Sequence, residues 1–523
     1  MRIVSLLKPI IGTVCLSLLV SCNAGQPDVR LDKSVLRDKI AGGWAGKMIG
    51  VAYGGPTEFK SLGKIIEDPI PWKPELITRA RWEDDLYVQM SFMEVMDRKG
   101  MDADAKDYQA ALANAGYKLW HANVQARKNY TDSIFPPMSG RPEYNMHADD
   151  IDFQIEADFI GMMCPGLPQL ANQWSDKIGH IMNYGDGVYG GAFVAALYSA
   201  AYVEDNMYDV IETATLSLPS ESAYCQIIKD VLSFYKEYPS DWKKTWQKIQ
   251  DKWEYTDICC SGIDTNIDAK LNGAYIVIGL LYGEGDVFKT MDISTRCGHD
   301  SDCNPSTALG VLGVMKGYDS LPAEYRAVLD NMQDTFFIFT DYTLRKAIDR
   351  TMSNIEANVI SCGGKVEDDH IEFKAQKPTP LPLEVSFPNA VFDRRFIVHE
   401  DSTCVTKGDW QTDGNVIYSD QAGDELSFDF DGTGIAICGQ WVRNGGKADV
   451  YIDGVFNRTI DCYYYYGGQE HKSNYIYHIF NLKNGKHNVK LVVKGEKKPE
   501  SQGCRIAITD AAVFHQSHPP EIF

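Results

Sequence analysis

The sequence has little that would let the protein grip nucleic acid or cross a membrane. It carries 51 Lys and Arg against 72 Asp and Glu, a formal net charge of -21. Clustered cations of the kind a phosphate-backbone groove needs are therefore lacking. Beyond the N-terminal segment no stretch has the roughly 18 uncharged apolar residues of a spanning helix. There is no G-x-x-x-x-G-K-[ST] loop, no H-E-x-x-H pair and no G-x-S-x-G elbow, which removes the commonest phosphate, zinc-protease and serine-hydrolase chemistries. No C-x-x-C pair is followed by a second one, so no zinc-ribbon spacing exists. No internal repeat is present, which removes solenoids. What is present is core material: 44% of the 523 residues are apolar and 11% aromatic. A chain of this length divides naturally into two domains.

The N-terminus, "MRIVSLLKPIIGTVCLSLLVSC", has Arg2 and Lys8 before an apolar run too short to span a bilayer. It reads as a secretory signal over residues 1–21. "LVSC" resembles a bacterial lipobox, which implies cleavage before Cys22 and lipidation of its thiol. The expected location is outside the cytoplasm, on a bacterial membrane through a lipid anchor only. Residues 22–34 read as a polar tether. The thirteen cysteines read mostly as small buried residues, with one or two bridges in the C-terminal part.

From 35 to 365 the pattern is helical. "YGGAFVAALYSAAYVE" and "LNGAYIVIGLLYGEGD" are apolar nearly all round, as helices in the middle of a bundle are. "KAQKPTPLPLEVSFP" reads as a stiff extended linker, 366–390. After it the period becomes two, in runs such as "ELSFDFDGTGIAICGQWV", with "DGTG", "NGG" and "KNGK" between them. That predicts a small antiparallel all-β sandwich over 391–523.

Chemistry concentrates in acidic clusters that precede apolar helices. "RWEDDLYVQM" holds Glu83, Asp84 and Asp85. "GHDSDCNPSTALGVLG" holds Asp300 and Asp302, with Ser301 and Asn304 as further oxygens. "HADDIDFQIEADF" holds Asp149, Asp150 and Asp152, and "YGDGVYGG" holds Asp186 among glycines. Each alone also fits helix capping, since carboxylates favour a helix N-terminus. Gathered at one end of a bundle, they would be costly to bury without a cation. Hard divalent ions prefer such oxygen donors. His147 reads as structural; His299 beside Asp300 is placed to touch substrate.

Three segments in order resemble the ADP-ribosylglycohydrolase family. "AGGWAGKMIGVAYGGPTEF" is similar to its N-terminal helix and Glu-ending loop. "WEDDLYVQM" is similar to its Thr-Asp-Asp-Thr segment, and "GHDSDCNPSTALGVLG", with "NGAYIVIGLLYGEGD" upstream, to its Gly-Asp-Thr-Asp-Thr segment. The resemblance covers roughly 35 to 345. It implies an all-α orthogonal helical bundle with a two-Mg2+ centre held by Asp84, Asp85, Asp300 and Asp302; with Glu83 among the ligands, this chain is expected to hold one or two Mg2+ ions (Mn2+ or Ca2+ as substitutes). It further implies Glu58, Asp85 and Asp302 as catalytic groups; from their own segments, Asp149, Asp150, Asp186, Asn272, His299 and Asn304 are expected around the substrate. Two positions depart from the family: Glu83 and Cys303 stand where it has threonines, and a thiol is a poor Mg2+ ligand.

The resulting expectation is an exported hydrolase that cleaves a glycosidic bond with divalent-metal help, its substrate a glycan or glycoconjugate. Removal of ADP-ribose from protein or nucleotide is one alternative. The other is a non-catalytic glycan-binding lipoprotein, because the C-terminal pattern is similar to galactose-binding-like sandwiches on glycan-degrading enzymes. There Trp410, Trp441 and the run from Tyr463 to Tyr466 either stack on sugars or pack a seam.

Overall fold

The computed structural model describes residues 28–517. The expected signal segment, the expected lipidation site Cys22 and the start of the expected tether lie outside the described residues. Helices from Lys33 to Ser361 form the first domain, and strands from Ala390 to Gln516 form the second. No described helix is long and apolar enough to cross a membrane.

The apolar-all-round segments lie where their composition puts them. Helices Asp186–Ala201, Ala269–Tyr282 and Cys303–Lys316 are buried along almost their whole length. The opening helix, Lys33–Gly54, lies against the Cys303–Lys316 helix along a row of glycines four apart. A Cβ added at Gly42, Gly46, Gly50 or Gly54 would sit 2.0–2.2 Å from the carbonyl oxygens of Gly313, Leu309, Pro305 and Ser301 respectively. Only glycine permits that approach of backbone to backbone. The row ends at Ser301, so it delivers the loop carrying Glu58 directly to the turn carrying Asp300 and Asp302.

The tether and linker are more ordered than their composition suggests. Val29–Asp32 pairs antiparallel with His370–Phe373, Val29 opposite Phe373, and Lys365–Val366 completes a three-stranded sheet. Part of the expected tether and part of the expected linker therefore close the helical domain. The prolyl stretch that follows is tied down: Tyr189 Oη donates to Pro382 O at 2.7 Å, Asn172 Nδ2 to Thr379 O at 2.8 Å, and Ser386 Oγ to Asp149 Oδ1 at 2.5 Å.

The second domain is two antiparallel sheets face to face. In one, Glu425–Gly432 pairs with Gly485–Val493; in the other, Gly434–Trp441 lies between His471–Ile479 and Ile506–Gln516. Alternate residues, such as Leu426, Phe428 and Phe430, point into the core, as period-two strands require. The expected bridges in this domain do not form: Cys404, Cys438, Cys462 and Cys504 are all free thiols. Cys438 and Cys462 are buried in the packing, where they serve as small apolar residues.

The sandwich sits on the helical domain. Arg127 is buried in the seam, its Nη1 donating to Tyr464 Oη at 3.3 Å and its guanidinium 4.1 Å from the Tyr466 ring centroid. Gln469 exchanges two hydrogen bonds with the Leu119 backbone. Trp441 and Tyr464 are buried and stacked at 6.2 Å. Much of the aromatic run is therefore spent on packing.

Candidate active site

Two helix N-termini and one loop meet in a cleft of about 540 Å3. The loop after the opening helix contributes Glu58. The start of helix Asp84–Lys99 contributes Glu83 and Asp84, and the turn before helix Cys303–Lys316 contributes Asp300 and Asp302. Asp85 lies just behind the wall, fully buried. Thr57 Oγ1 and Ser301 Oγ, 2.9 Å apart, pin the loop to the turn.

Capping does not account for these carboxylates. Neither Glu83 nor Asp302, the N-cap residues of the two helices, makes a side-chain cap hydrogen bond. Asp85 Oδ1 and Asp300 Oδ1 are buried with no hydrogen-bond partner. Lys47 Nζ lies 3.8 Å from Asp85 Oδ1 but 2.8 Å from Asp158 Oδ2, so Asp158 already neutralises it. The electrostatics follow from crowding. Burial, then the carboxylates of Asp300, Glu83 and Asp85, push Glu58 up to about 7. Burial and Asp85 push Glu83 up to about 7. Burial is also the main cause that lifts Asp300 to about 6 and carries Asp84 and Asp302 well above the usual carboxylate range. A cluster whose members hold protons against one another has the electrostatics of a cation site.

The model of the family described as ADP-ribosylglycohydrolase matches residues 32–357. The chain belongs to the ADP-ribosylglycohydrolase family. No curated protein matches it. Among solved structures it is similar to an "ADP-ribosylglycohydrolase-related protein complex", at 13% identity and a TM-score of 0.42, over 62% of this chain and 98% of that one. It is also similar to the CBM36-1 domain of a multidomain xylanase from the hindgut metagenome of Trinervitermes trinervoides (19%, TM-score 0.14, 20% of this chain and 79% of that one). A third is a two-domain esterase active on acetylated mannans, co-crystallised with mannopentaose (13%, TM-score 0.21, 33% and 46%).

ADP-ribosylglycohydrolases are glycohydrolases, typically dependent on a divalent metal, and the residues present here fit one. The donor atoms of Asp84, Asp85 and Cys303 lie within 4.8 Å of one another, and so do those of Asp300, Asp302 and Cys303. Two groups of carboxylate oxygens thus share one thiol. Burial and the surrounding carboxylates push that thiol well up, so it stays protonated and its Sγ donates to Asp85 Oδ2 at 3.1 Å. The carboxylate oxygens around this thiol are donors of the kind a hard cation takes.

Other residues singled out from the sequence lie elsewhere in this ADP-ribosylglycohydrolase domain. Asp149 and Asp186 do not line the cleft; they face Lys270 with Asp268. Asp150 Oδ2 is 2.7 Å from His147 Nδ1, behind the cleft floor. Asn304 Nδ2 donates to Asn272 Oδ1 at 2.9 Å, both buried. His299 is fully buried, its Nε2 3.1 Å from Glu254 Oε2 and accepting from Gly63 N at 3.0 Å. It pins the loop that follows Glu58.

Five residues of the site carried no local signal: Lys47, Trp82, Tyr87, Trp120 and His121. Lys47 alone left a trace, as a charge inside the small-residue run "AGGWAGKMIG". Trp82 and Trp120 stand at the cleft, 54% and 44% exposed. His121 lines it with a left-handed φ of 42°. Asp152 also lines the cleft, but its two oxygens accept from Ala122 N and Asn123 N at 3.1 and 3.0 Å, occupying the free N–H groups of helix His121–Thr131.

Proposed function

We propose that the protein hydrolyses a glycosidic bond in a neutral glycan or glycoconjugate. One observation carries the choice of substrate: among the described residues no Lys or Arg lines the cleft. ADP-ribose brings a pyrophosphate, which is normally met by cations or by open helix N-termini. Here one helix N-terminus at the cleft, that of His121–Thr131, is taken by Asp152, and the other two carry the carboxylates of Glu83, Asp84 and Asp302, which repel an anion. A sugar asks instead for carboxylates to receive its hydroxyls and aromatic faces for its C–H surfaces, and the cleft offers both, with Trp82 and Trp120 at its edges.

In this reading Glu58, protonated near neutral pH, gives its proton to the leaving oxygen as the C1–O bond breaks. Asp302, ionised once a cation balances its neighbours, receives the proton of the water that adds to C1. Asp84, Asp85, Asp300 and Asp302, with Glu83 beside them, would hold Mg2+, which would position sugar hydroxyls and ease removal of the proton from the attacking water. Asp85, kept in place by Lys47 and the Cys303 thiol, orients the set. Export through the signal segment and anchoring at Cys22 belong to the same reading, because extracellular glycans are met there.

The test is hydrolysis of neutral aryl glycosides and oligosaccharides beside ADP-ribosyl-arginine, with Mg2+ and with EDTA. Sugar release that needs the metal is expected. Faster turnover of ADP-ribosyl-arginine would overturn the substrate assignment. Labelling by a palmitate analogue in a bacterial host, lost in Cys22→Ala, is expected for the anchor.

A further inference from the structure

A second cavity, of about 880 Å3, opens beside the cleft. Thr265 lines both. Two loops form the wall between them. Phe59 faces the cleft and its neighbour Lys60 the second cavity; Ile267 faces the cleft and Asn266 the second cavity.

The second of these loops, residues 257–266, is set by both domains. Within the helical domain the Asp257 carboxylate accepts from Cys259 N at 2.7 Å and Cys260 N at 3.2 Å. From the sandwich, Arg395 Nε donates to Ser261 O at 3.1 Å and Tyr475 Oη to Cys259 O at 2.7 Å. Phe392 presses on Gly262 so closely that a Cβ there would lie 2.5 Å from the ring, and Gly262 has φ 76°. Phe392 also lines the cavity. The cavity is thus a joint product of the two domains.

Its lining suits a neutral polar ligand. Lys60 and Lys64 are outnumbered by Asp251, Glu254, Asp257 and Asp264, so it presents no cationic wall for phosphate or uronate. Gln247 and Asp251 lie on its exposed rim beside Tyr255. Tyr255 is 95% exposed, a position in which an aromatic ring gains nothing from packing and is open to a stacking partner. The volume falls in the range of roughly 300–1,000 Å3 typical of small-molecule sites, enough for about two or three sugar rings.

We propose that this cavity binds the further sugar units of a neutral oligosaccharide, continuing the cleft past Thr265, with Tyr255 as the stacking platform. The proposal rests on the glycan reading above and names its substrate class: a chain of several sugars, not a lone glycoside.

The experiment uses the full chain, neutral tetrasaccharides of the xylo, arabino, manno and galacto series, and the matching aryl monoglycosides. For the series that is cleaved, Tyr255→Ala should raise KM for the tetrasaccharide about tenfold, leave the monoglycoside within about twofold, and be rescued by Tyr255→Trp. Equal treatment of the two substrates by the wild type, or equal slowing of both by the variant, would overturn it. If nothing is cleaved, the glycosidase reading fails on its own, and calorimetry of the same tetrasaccharides decides the cavity. Binding weakened by Tyr255→Ala upholds the proposal; no binding by the wild type sinks it. Binding of galacturonate oligomers alone would overturn the neutral assignment.

Discussion

The cleft and the pocket around Lys270 both gather carboxylates from acidic segments that precede apolar helices, but their carboxylates are satisfied differently. Around Lys270 four acids have protein partners, although Asp150 Oδ1 beside them has none. Asp268 pairs with the Lys270 ammonium, Asp186 accepts from Tyr224 N at 3.1 Å, Asp149 accepts from Ser386 Oγ, and Asp257 accepts from two backbone N–H groups. In the cleft, Glu58, Glu83, Asp84, Asp300 and Asp302 crowd together while the buried ammonium behind them, Lys47, is committed to Asp158. One pocket contains its own cation. Among the described residues no Lys or Arg lines the other. Acidic density in a sequence marks both; the supply of partners tells them apart.

The largest effect that would test this contrast is on folding. Lys270→Met should strand its carboxylates and cost about 3–5 kcal/mol, read by denaturant unfolding. Stability kept within about 1 kcal/mol would erase the distinction. In the cleft, Asp302→Asn should leave the fold intact. Calorimetry should nevertheless show divalent-ion affinity down by roughly 100-fold or more, beyond the 10–100-fold typical of outer-shell partners.

A smaller test uses pH. Glu83 sits at about 7 in the fold against an ordinary 4.5. Between those values the folded protein keeps a proton that the unfolded chain has released, so stability drains away as pH rises through the window. Metal-free Glu83→Gln should therefore melt about 2 °C above wild type at pH 8, with the gain gone near pH 4. A gain that persists at pH 4 would point to a cause other than charge. The smallest effect is expected for Cys303→Thr, which replaces a weak S–H donor to Asp85 by a hydroxyl and should tighten the ion by about threefold. A loss of affinity would mean that the sulfur ligates after all.

The division into helical and β domains was legible because the hydrophobic period itself changes, from 3.6 to 2. The paired aspartates were legible because both stand where a helix begins, and the structure shows that they do not act as caps there. Lys47, Trp120 and His121 were not, since each matters only through residues far away in the chain. Asp149 and Asp186 were drawn toward the cleft by acidic density alone; their actual partners, Ser386 and Lys270, come from segments that no local pattern links to them. The tether and linker misled for the same reason, since Val29–Asp32 finds its strand partner more than three hundred residues away.

The glycine row has a consequence for how such a site can change. Along residues 42–54 peptide meets peptide, so the span between Glu58 and the Asp300 turn is fixed by main-chain dimensions alone. Side-chain substitutions in the core have no purchase on it. The floor of the cleft behaves as a gauge block, and a scaffold of this kind is open to change at its margins: at positions beside the carboxylates, such as Glu83 and Cys303, or at a rim wall, such as the 257–266 loop that the sandwich holds.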